Sequence, residues 1–412
     1  MTETSPVIDP EENGPAGDAF YTPPSQLPDG VPGDPVWVRK LDNPAAELGA
    51  GENWLVLYRS QDVRGKEVAT SGIIALPDRD VHPVPDGGYP LVSWAHGTVG
   101  VANVVAPSRD RGDTGASPMN AYPNDLLNSF LVQGWAVAMT DYEALGTGTP
   151  DHIHPYLLGA SEANGVLDIV LAARRIFTGA IGEKYAIVGH SQGGQAALFA
   201  GHHAPERVTE ASLVGVAAIA PSNHSLPLVQ AGAEEDKTGD GFAFTPLFLA
   251  GAIGGDPDIN PAEVLSDEAY ELWPHILDRS RADLSNEDSW GGIKGNAQFR
   301  GTYPKDPNPH QQRFDDQLAK MNPDVEIRVP VRITQAAADL RVFAVLPPPL
   351  KGTDVLVEEL NETNKKHGIE VEYQRYGALQ VPPRDSLGVH FATINHDAAK
   401  LTTWVQHLFD NA

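Results

Sequence analysis

Apolar residues fall along this chain in two rhythms. Short, nearly continuous runs bounded by glycine, proline or polar residues read as buried strands, and longer stretches with apolar side chains every three or four positions read as helices. Runs of the first kind lie at residues 54–60 and 69–76, which a polar turn at 62–66 joins as a hairpin, and at 89–95, 135–140, 185–188, 213–220 and 327–335; an alternating run follows at 369–376. The helical pattern covers residues 123–133, 160–177, the stretch after Gly194, 353–367 ended by Gly368, and 393–409 with Leu401, Trp404, Val405 and Leu408 on one face. In the helix at 160–177 the apolar face is Val166, Ile169, Val170 and Ala173, and Asp168, Arg174 and Arg175 are expected to face water. Strand–helix alternation predicts an α/β fold, a mainly parallel sheet covered by helices on both faces.

Two regions break the rhythm. Residues 1–50 are rich in proline, glycine and acid; about the first 17 read as a disordered tail, and the aromatic stretch Asp18-Ala19-Phe20-Tyr21-Thr22-Pro23-Pro24 reads as a strap against the body. Residues 224–325 hold no convincing strand, and helices are expected at 226–231, 244–253, 261–276 and 289–299. Such an insertion reads as a helical lid between two parts of a core, 51–223 and 326–412. Its patch Phe242-Ala243-Phe244-Thr245-Pro246-Leu247-Phe248-Leu249 can line a pocket, fill the lid's own core, or do both.

Composition narrows the chemistry. The 412 residues, 41% hydrophobic, suffice for a large core, and the absence of cysteine excludes disulfides, a thiolate nucleophile and cysteine-ligated metals. A formal net charge of −26 argues against nucleic acid and anionic membrane as partners and reads as a solvated acidic surface. No apolar run reaches the ~18 residues of a membrane span. The first residues show neither a basic region nor an apolar stretch of signal-peptide type, so the chain as written reads as cytoplasmic, or as secreted if a signal has been trimmed. His152 and His154 lack a clear third ligand and are expected to be surface or packing residues rather than metal ligands. Asp141 is expected to hold its loop by hydrogen bonds.

The candidate chemistry centres on Gly189-His190-Ser191-Gln192-Gly193-Gly194, between the strand at 185–188 and a helix. Strand, tight turn and helix around a central serine is the context of a nucleophile elbow, with Gly189 and Gly193 lacking side chains where strand and helix approach closely. Asp339 follows the strand at 327–335, and His390 follows the last strand and the run 378–389. A serine hydroxyl needs a neutral base to take its proton, histidine has the right pKa range, and a carboxylate can fix the imidazole tautomer. The order is thus nucleophile Ser191, acid Asp339, base His390. Amides of Gln192 and of the Gly97–Thr98 turn, at the end of the strand 89–95, are candidates for an oxyanion hole.

These segments together resemble the secretory lipase group of α/β-hydrolases. The resemblance rests on Phe20-Tyr21-Thr22-Pro23-Pro24, on Ser93-Trp94-Ala95-His96-Gly97-Thr98, on Thr140-Asp141-Tyr142-Glu143 with His154-Pro155-Tyr156-Leu157, on the Ser191 motif, on residues 331–339 and on the segment from His390 to Trp404. It implies an α/β-hydrolase fold, hydrolysis of carboxylic esters under a helical lid, acyl chains or other bulky apolar groups as substrate, and no cofactor. Two departures stand out. Gln335-Ala336-Ala337-Ala338-Asp339 replaces the family's Gln-Gly-Thr-Ala-Asp, and the run 378–389 separates the last strand from the histidine. His396 competes with His390 as base but sits inside the expected last helix. A bulky neutral ester, a lactone and an acetylated small molecule stay open as substrates. So do acyl transfer by the same triad, a non-catalytic binding module, and a homodimer.

Overall fold

The computed structural model describes residues 6–377, 379, 381 and 387–412, so most of the run expected as a loop at 378–389 lies outside the described residues. In chain order the strands are β1 (Pro35–Lys40), β2 (Gly51–Gln61), β3 (Glu67–Pro77), β4 (Tyr89–Ala95), β5 (Ala136–Thr140), β6 (Ile181–His190), β7 (Ser212–Ile219), β8 (Val331–Ala336) and β9 (Glu372–Tyr376). They form one sheet in the order β1-β2-β3-β5-β4-β6-β7-β8-β9. The pairs up to β3–β5 are antiparallel, and from β5 to β9 all are parallel. This is the α/β-hydrolase fold that the strand–helix alternation and the resemblance imply.

Strand periodicity sends alternate side chains to opposite faces, and β6 shows the consequence. Tyr185 and Ile187 join the apolar layer under the helices Gly159–Ile176, Gln192–Arg207 and Thr353–Asn364, whereas Ala186 and Val188 join the layer under Asn124–Val132 and Gly388–Asn411. Both faces are buried, which is why the strands read as unbroken apolar runs.

Several expectations need correction. Residues 6–17 are not a free tail: the Asn13 amide donates to the Val38 carbonyl and its side chain accepts from the Val38 amide, both at 2.8 Å, and Val7 N–H donates to Thr178 O at 2.9 Å. Backbone pairing to β1 needs no apolar pattern, so composition hid it. Asp168 does not face water; it is fully buried, where Arg207 Nε and Nη2 each donate to it at 2.7 Å and Ser60 Oγ at 2.6 Å. A bidentate guanidinium is what makes that burial tolerable. The strap behaves as expected: Phe20 and Tyr21 are buried, and the Tyr21 hydroxyl donates to Ser108 O at 2.9 Å.

Among the described residues, 224–325 add no strand to the sheet. Helices Ser225–Gly232 and Thr245–Gly255 match the expectation. The helix expected at 261–276 is three short pieces, because Ser266 interrupts it and caps the next turn by accepting from the Ala269 amide at 3.1 Å. Residues 289–299 hold only two 3-10 turns, and the helix Pro309–Ala319, started by an Asn308–Gln311 capping box, was not anticipated. This region has its own core, which includes Leu247, Trp290 and Phe314. The last helix begins at Gly388 rather than 393, which puts His390 in its first turn.

Candidate active site

Ser191 stands between β6 and the helix Gln192–Arg207 with φ 58° and ψ −117°, a conformation L-residues seldom adopt and one that costs about 1–3 kcal/mol. The surroundings hold it there. Its amide donates to Ile219 O at 2.8 Å, and its carbonyl accepts from the amides of Ser222 at 3.0 Å and Gln195 at 3.1 Å. The turn is closed so tightly that a Cβ at Gly193 would strike the Ala95 carbonyl and one at Gly189 the Gly193 carbonyl. Only glycine fits at either position.

Parallel pairing of Ala95 with Gly189 brings the turn after β4 next to Ser191. Gly97 lies close enough that a Cβ there would sit 3.5 Å from the Ser191 Cβ. Tyr142 keeps this turn in place: its hydroxyl donates to His96 O at 2.8 Å and its ring lies 4.4 Å from the His96 ring. Thr98 Oγ1 shares a hydrogen bond with the Tyr156 hydroxyl at 2.8 Å.

Asp339 lies three residues past the end of β8, and His390 in the first turn of the last helix. Asp339 Oδ1 accepts from the amides of Arg341 at 2.8 Å and Val342 at 3.1 Å, and Oδ2 lies 2.7 Å from His390 Nδ1. Burial pushes the Asp339 carboxyl up, but the charge and hydrogen bond of His390 and the two amides outweigh it and hold the carboxyl below its ordinary value. An ionised carboxylate can only accept, so Nδ1 donates to it, and in the neutral imidazole the lone pair is then on Nε2. His390 is 4% exposed, and together with Ser191 and Thr98 it borders a cavity of about 430 Å3. Phe242, Phe244 and Phe248 line the same cavity, whereas Ala243, Leu247 and Leu249 fill the core of their own region. The aromatic patch therefore does both things its sequence allowed. His396 does not border the cavity: it is exposed, with its ring 4.6 Å from Tyr376.

Two parts of the site were not legible as such in the sequence. His190, inside the serine motif, donates from Nε2 to the His390 carbonyl at 3.1 Å with the rings 4.4 Å apart, and burial, the largest cause, holds it well below its ordinary value and so neutral. The second part is a buried chain behind Gln192. His154 Nδ1 donates to Glu143 O at 2.9 Å, which leaves its Nε2 to accept from Gln192 Nε2 at 2.9 Å. Gln192 Nε2 also donates to Glu162 Oε1 at 2.7 Å, and Leu157 N–H donates to the same oxygen at 2.8 Å. Burial lowers His154 to about 3 and raises Glu162 to about 8, the latter against the hydrogen bonds from Gln192 and Leu157. The residue whose amide is a candidate oxyanion donor is thus clamped by its own side chain. The sequence alone points only to a surface or packing role for His154. Asp141 does hold its loop, accepting from Ser71 Oγ at 2.6 Å and the Ser108 amide at 2.9 Å. No group of three His, Cys, Asp or Glu side chains suited to a metal ion occurs among the described residues, and no helix there is long and apolar enough to cross a membrane.

Glu162 makes a pH prediction. The folded chain keeps this proton up to about pH 8, whereas an unfolded carboxyl at its ordinary value of 4.5 has released it. The folded state then binds more protons between those values, so its stability falls as pH rises through that window and levels off above it. Glu162→Gln removes the titration. Urea midpoints measured across the window should fall less steeply in the variant than in the parent; parallel curves would show that Glu162 is ionised in the fold.

Comparison with known proteins agrees with this architecture. The secretory lipase family model matches residues 120–247. Lipase 7 of Candida albicans is 28% identical over 214 residues, which is 49% of this chain and 46% of that protein, so the match spans about half the length of this curated relative. Among solved structures, the rice cell wall degrading esterase LipA from Xanthomonas oryzae superposes with a TM-score of 0.70 at 19% identity, covering 92% of this chain and 99% of that one. Candida antarctica lipase A in its closed state gives 0.65 at 16%, covering 87% and 79%. At these identities the structural likeness is one of fold. With the family model on the segment that carries the serine motif, the resemblance to the secretory lipases is borne out on an α/β-hydrolase frame.

Proposed function

We propose that this protein is a serine hydrolase of carboxylic esters, with Ser191 as nucleophile, His390 as base and Asp339 as the acid that orients it. The observation that carries the reading is the 2.7 Å contact of His390 Nδ1 with Asp339, made where His390 and Ser191 border one cavity. Ser191 Oγ attacks the acyl carbon while His390 Nε2 takes its proton. The oxyanion receives the amides of Gln192 and of the Gly97–Thr98 turn. The ester C–O bond then breaks, His390 returns the proton to the departing alkoxide, and water releases the acyl group by the same steps in reverse. A lactone would open through the same acyl-enzyme, with its alcohol still attached.

Residues 224–325 serve in this reading as a lid, and Phe242, Phe244 and Phe248 favour bulky or apolar substrate groups. The secretory character of the matched family supports export rather than residence in the cytoplasm. A fluorophosphonate probe followed by peptide mapping tests the assignment. Stoichiometric labelling at Ser191 is expected, since the probe needs both an activated serine and an oxyanion hole. A folded protein left unlabelled at Ser191 would return the chain to the binding-module reading.

A further inference from the structure

We propose that the cavity beside Ser191 takes esters whose apolar body also carries a carboxylate, bound by Arg281 and Arg341. This rests on the ester-hydrolase reading. Arg281 is 3% exposed and borders the cavity. Its Nη1 donates to Asp240 and, at 2.8 Å, to Ser285 Oγ, and the Phe244 ring lies 4.4 Å from its guanidinium. Its Nε and Nη2 are buried and have no hydrogen-bond partner among the described residues. A guanidinium is a planar fork of donors matched to a carboxylate, and a buried donor left unmatched is destabilising.

Arg341 borders the same cavity, packs 5.6 Å from the Phe391 ring, and has no carboxylate within ion-pairing distance of its guanidinium among the described residues. Burial, and after it the like charge of Arg281, press its guanidinium below its ordinary value, while Asp240 and Asp339 act in the other direction. The other charged groups on the wall do not cancel the two arginines. Lys351 is already matched by Glu359 at 2.8 Å, and Asp240 is paired with Arg281, so no carboxylate on the wall is left for Arg341. One cation is left over on a wall built largely of aromatic and aliphatic side chains, in a chain whose net charge is −26. An excess cation against that background is a local feature, and a focused positive site in a low-dielectric cleft attracts an anion.

The position suits recognition within a single small molecule. The Arg281 amide donates to Val99 O at 2.8 Å, next to Thr98, whose hydroxyl is bonded to Tyr156 at the serine end of the cavity. An acyl group with its ester at Ser191 and a free carboxylate at the arginines is a half-ester of a dicarboxylic acid.

The test compares p-nitrophenyl hydrogen adipate and hydrogen suberate with p-nitrophenyl hexanoate and octanoate, the neutral esters of equal chain length, at low ionic strength. At least one half-ester should exceed its neutral counterpart by about 10-fold or more in kcat/KM, chiefly through KM, as expected for a charged hydrogen bond. In Arg281→Met and in Arg341→Met that ratio should collapse towards one; Arg281→Lys, which preserves a cation for Asp240, guards against a folding defect. A purely structural role for either arginine would leave the ratio unmoved. Parent ratios at or below one, or ratios unchanged in both arginine variants, would overturn the proposal while leaving the esterase reading intact. If neither ester type is cleaved, the esterase reading fails, and calorimetric titration with suberate decides the anion site by itself: saturable binding lost in Arg281→Met sustains it, and no binding overturns it.

Discussion

Ser191→Ala is expected to lower ester hydrolysis by about 10,000-fold or more, with the fold retained. The expectation follows from position. In the proposed mechanism the serine Oγ is the attacking atom; it is presented at the apex of a turn held by three backbone hydrogen bonds, and alanine changes no contact of that turn's main chain. His390→Ala should lose a comparable factor if, as proposed, its Nε2 is the base for the serine hydroxyl. His396→Ala should be mild, since that ring is exposed against Tyr376. Steady-state rates on a chromogenic ester check all three. Near-normal turnover by Ser191→Ala would sink the nucleophile assignment, and a severe His396 variant beside a mild His390 one would move the base.

The second large effect is on stability. Asp397 should prove the most damaging carboxylate to truncate, at about 3–5 kcal/mol for Asp397→Ala, the usual cost of leaving a buried charge without its partner. Asp397 is fully buried and Arg332 is 2% exposed. The carboxylate accepts from both terminal nitrogens of Arg332, Nη2 at 2.8 Å, and from Thr334 Oγ1 and the Tyr376 hydroxyl, each at 2.7 Å. This network ties the last helix, which carries His390, to β8, whose end carries Asp339. Loss of the carboxylate leaves the buried Arg332 with only the exposed Glu372, to which its Nε donates at 3.1 Å, and loosens the joint between the last helix and β8. Urea denaturation monitored by fluorescence reads the stability term, and a change below about 1 kcal/mol, the range of an exposed ion pair, would contradict the buried-network account.

How far the site could be read from the residues depended on whether a feature is local. The serine motif announces itself within six residues because the tight turn demands glycine at 189 and 193 whatever surrounds it. Asp339 was legible because a carboxylate at the carboxyl end of a parallel strand faces the site by topology. His390 was placed less directly: the last helix begins at Gly388, earlier than its apolar face suggested, and Val389 and His390 give no period to recognise. Asp168 was misread for a related reason. Its place on the helix looked polar, but its neighbours across the fold, Ser60 and Arg207, are 108 and 39 residues away. The clamp on Gln192 joins Glu143, His154 and Glu162 through a loop with no repeating pattern, so nothing short of the packed structure could assemble it.

Periodicity, turn chemistry and strand–helix alternation by themselves determined the α/β layering, the elbow at Ser191 and the helical character of residues 224–325, since each follows from interactions between residues close in sequence. The tertiary structure alone decided which histidine meets Asp339, which aromatic side chains face the cavity and which fill the adjoining core, and that two arginines 60 positions apart border the same apolar space. Those outcomes depend on contacts between distant segments, whose geometry is set when both faces of the sheet are covered and the buried polar groups find their partners.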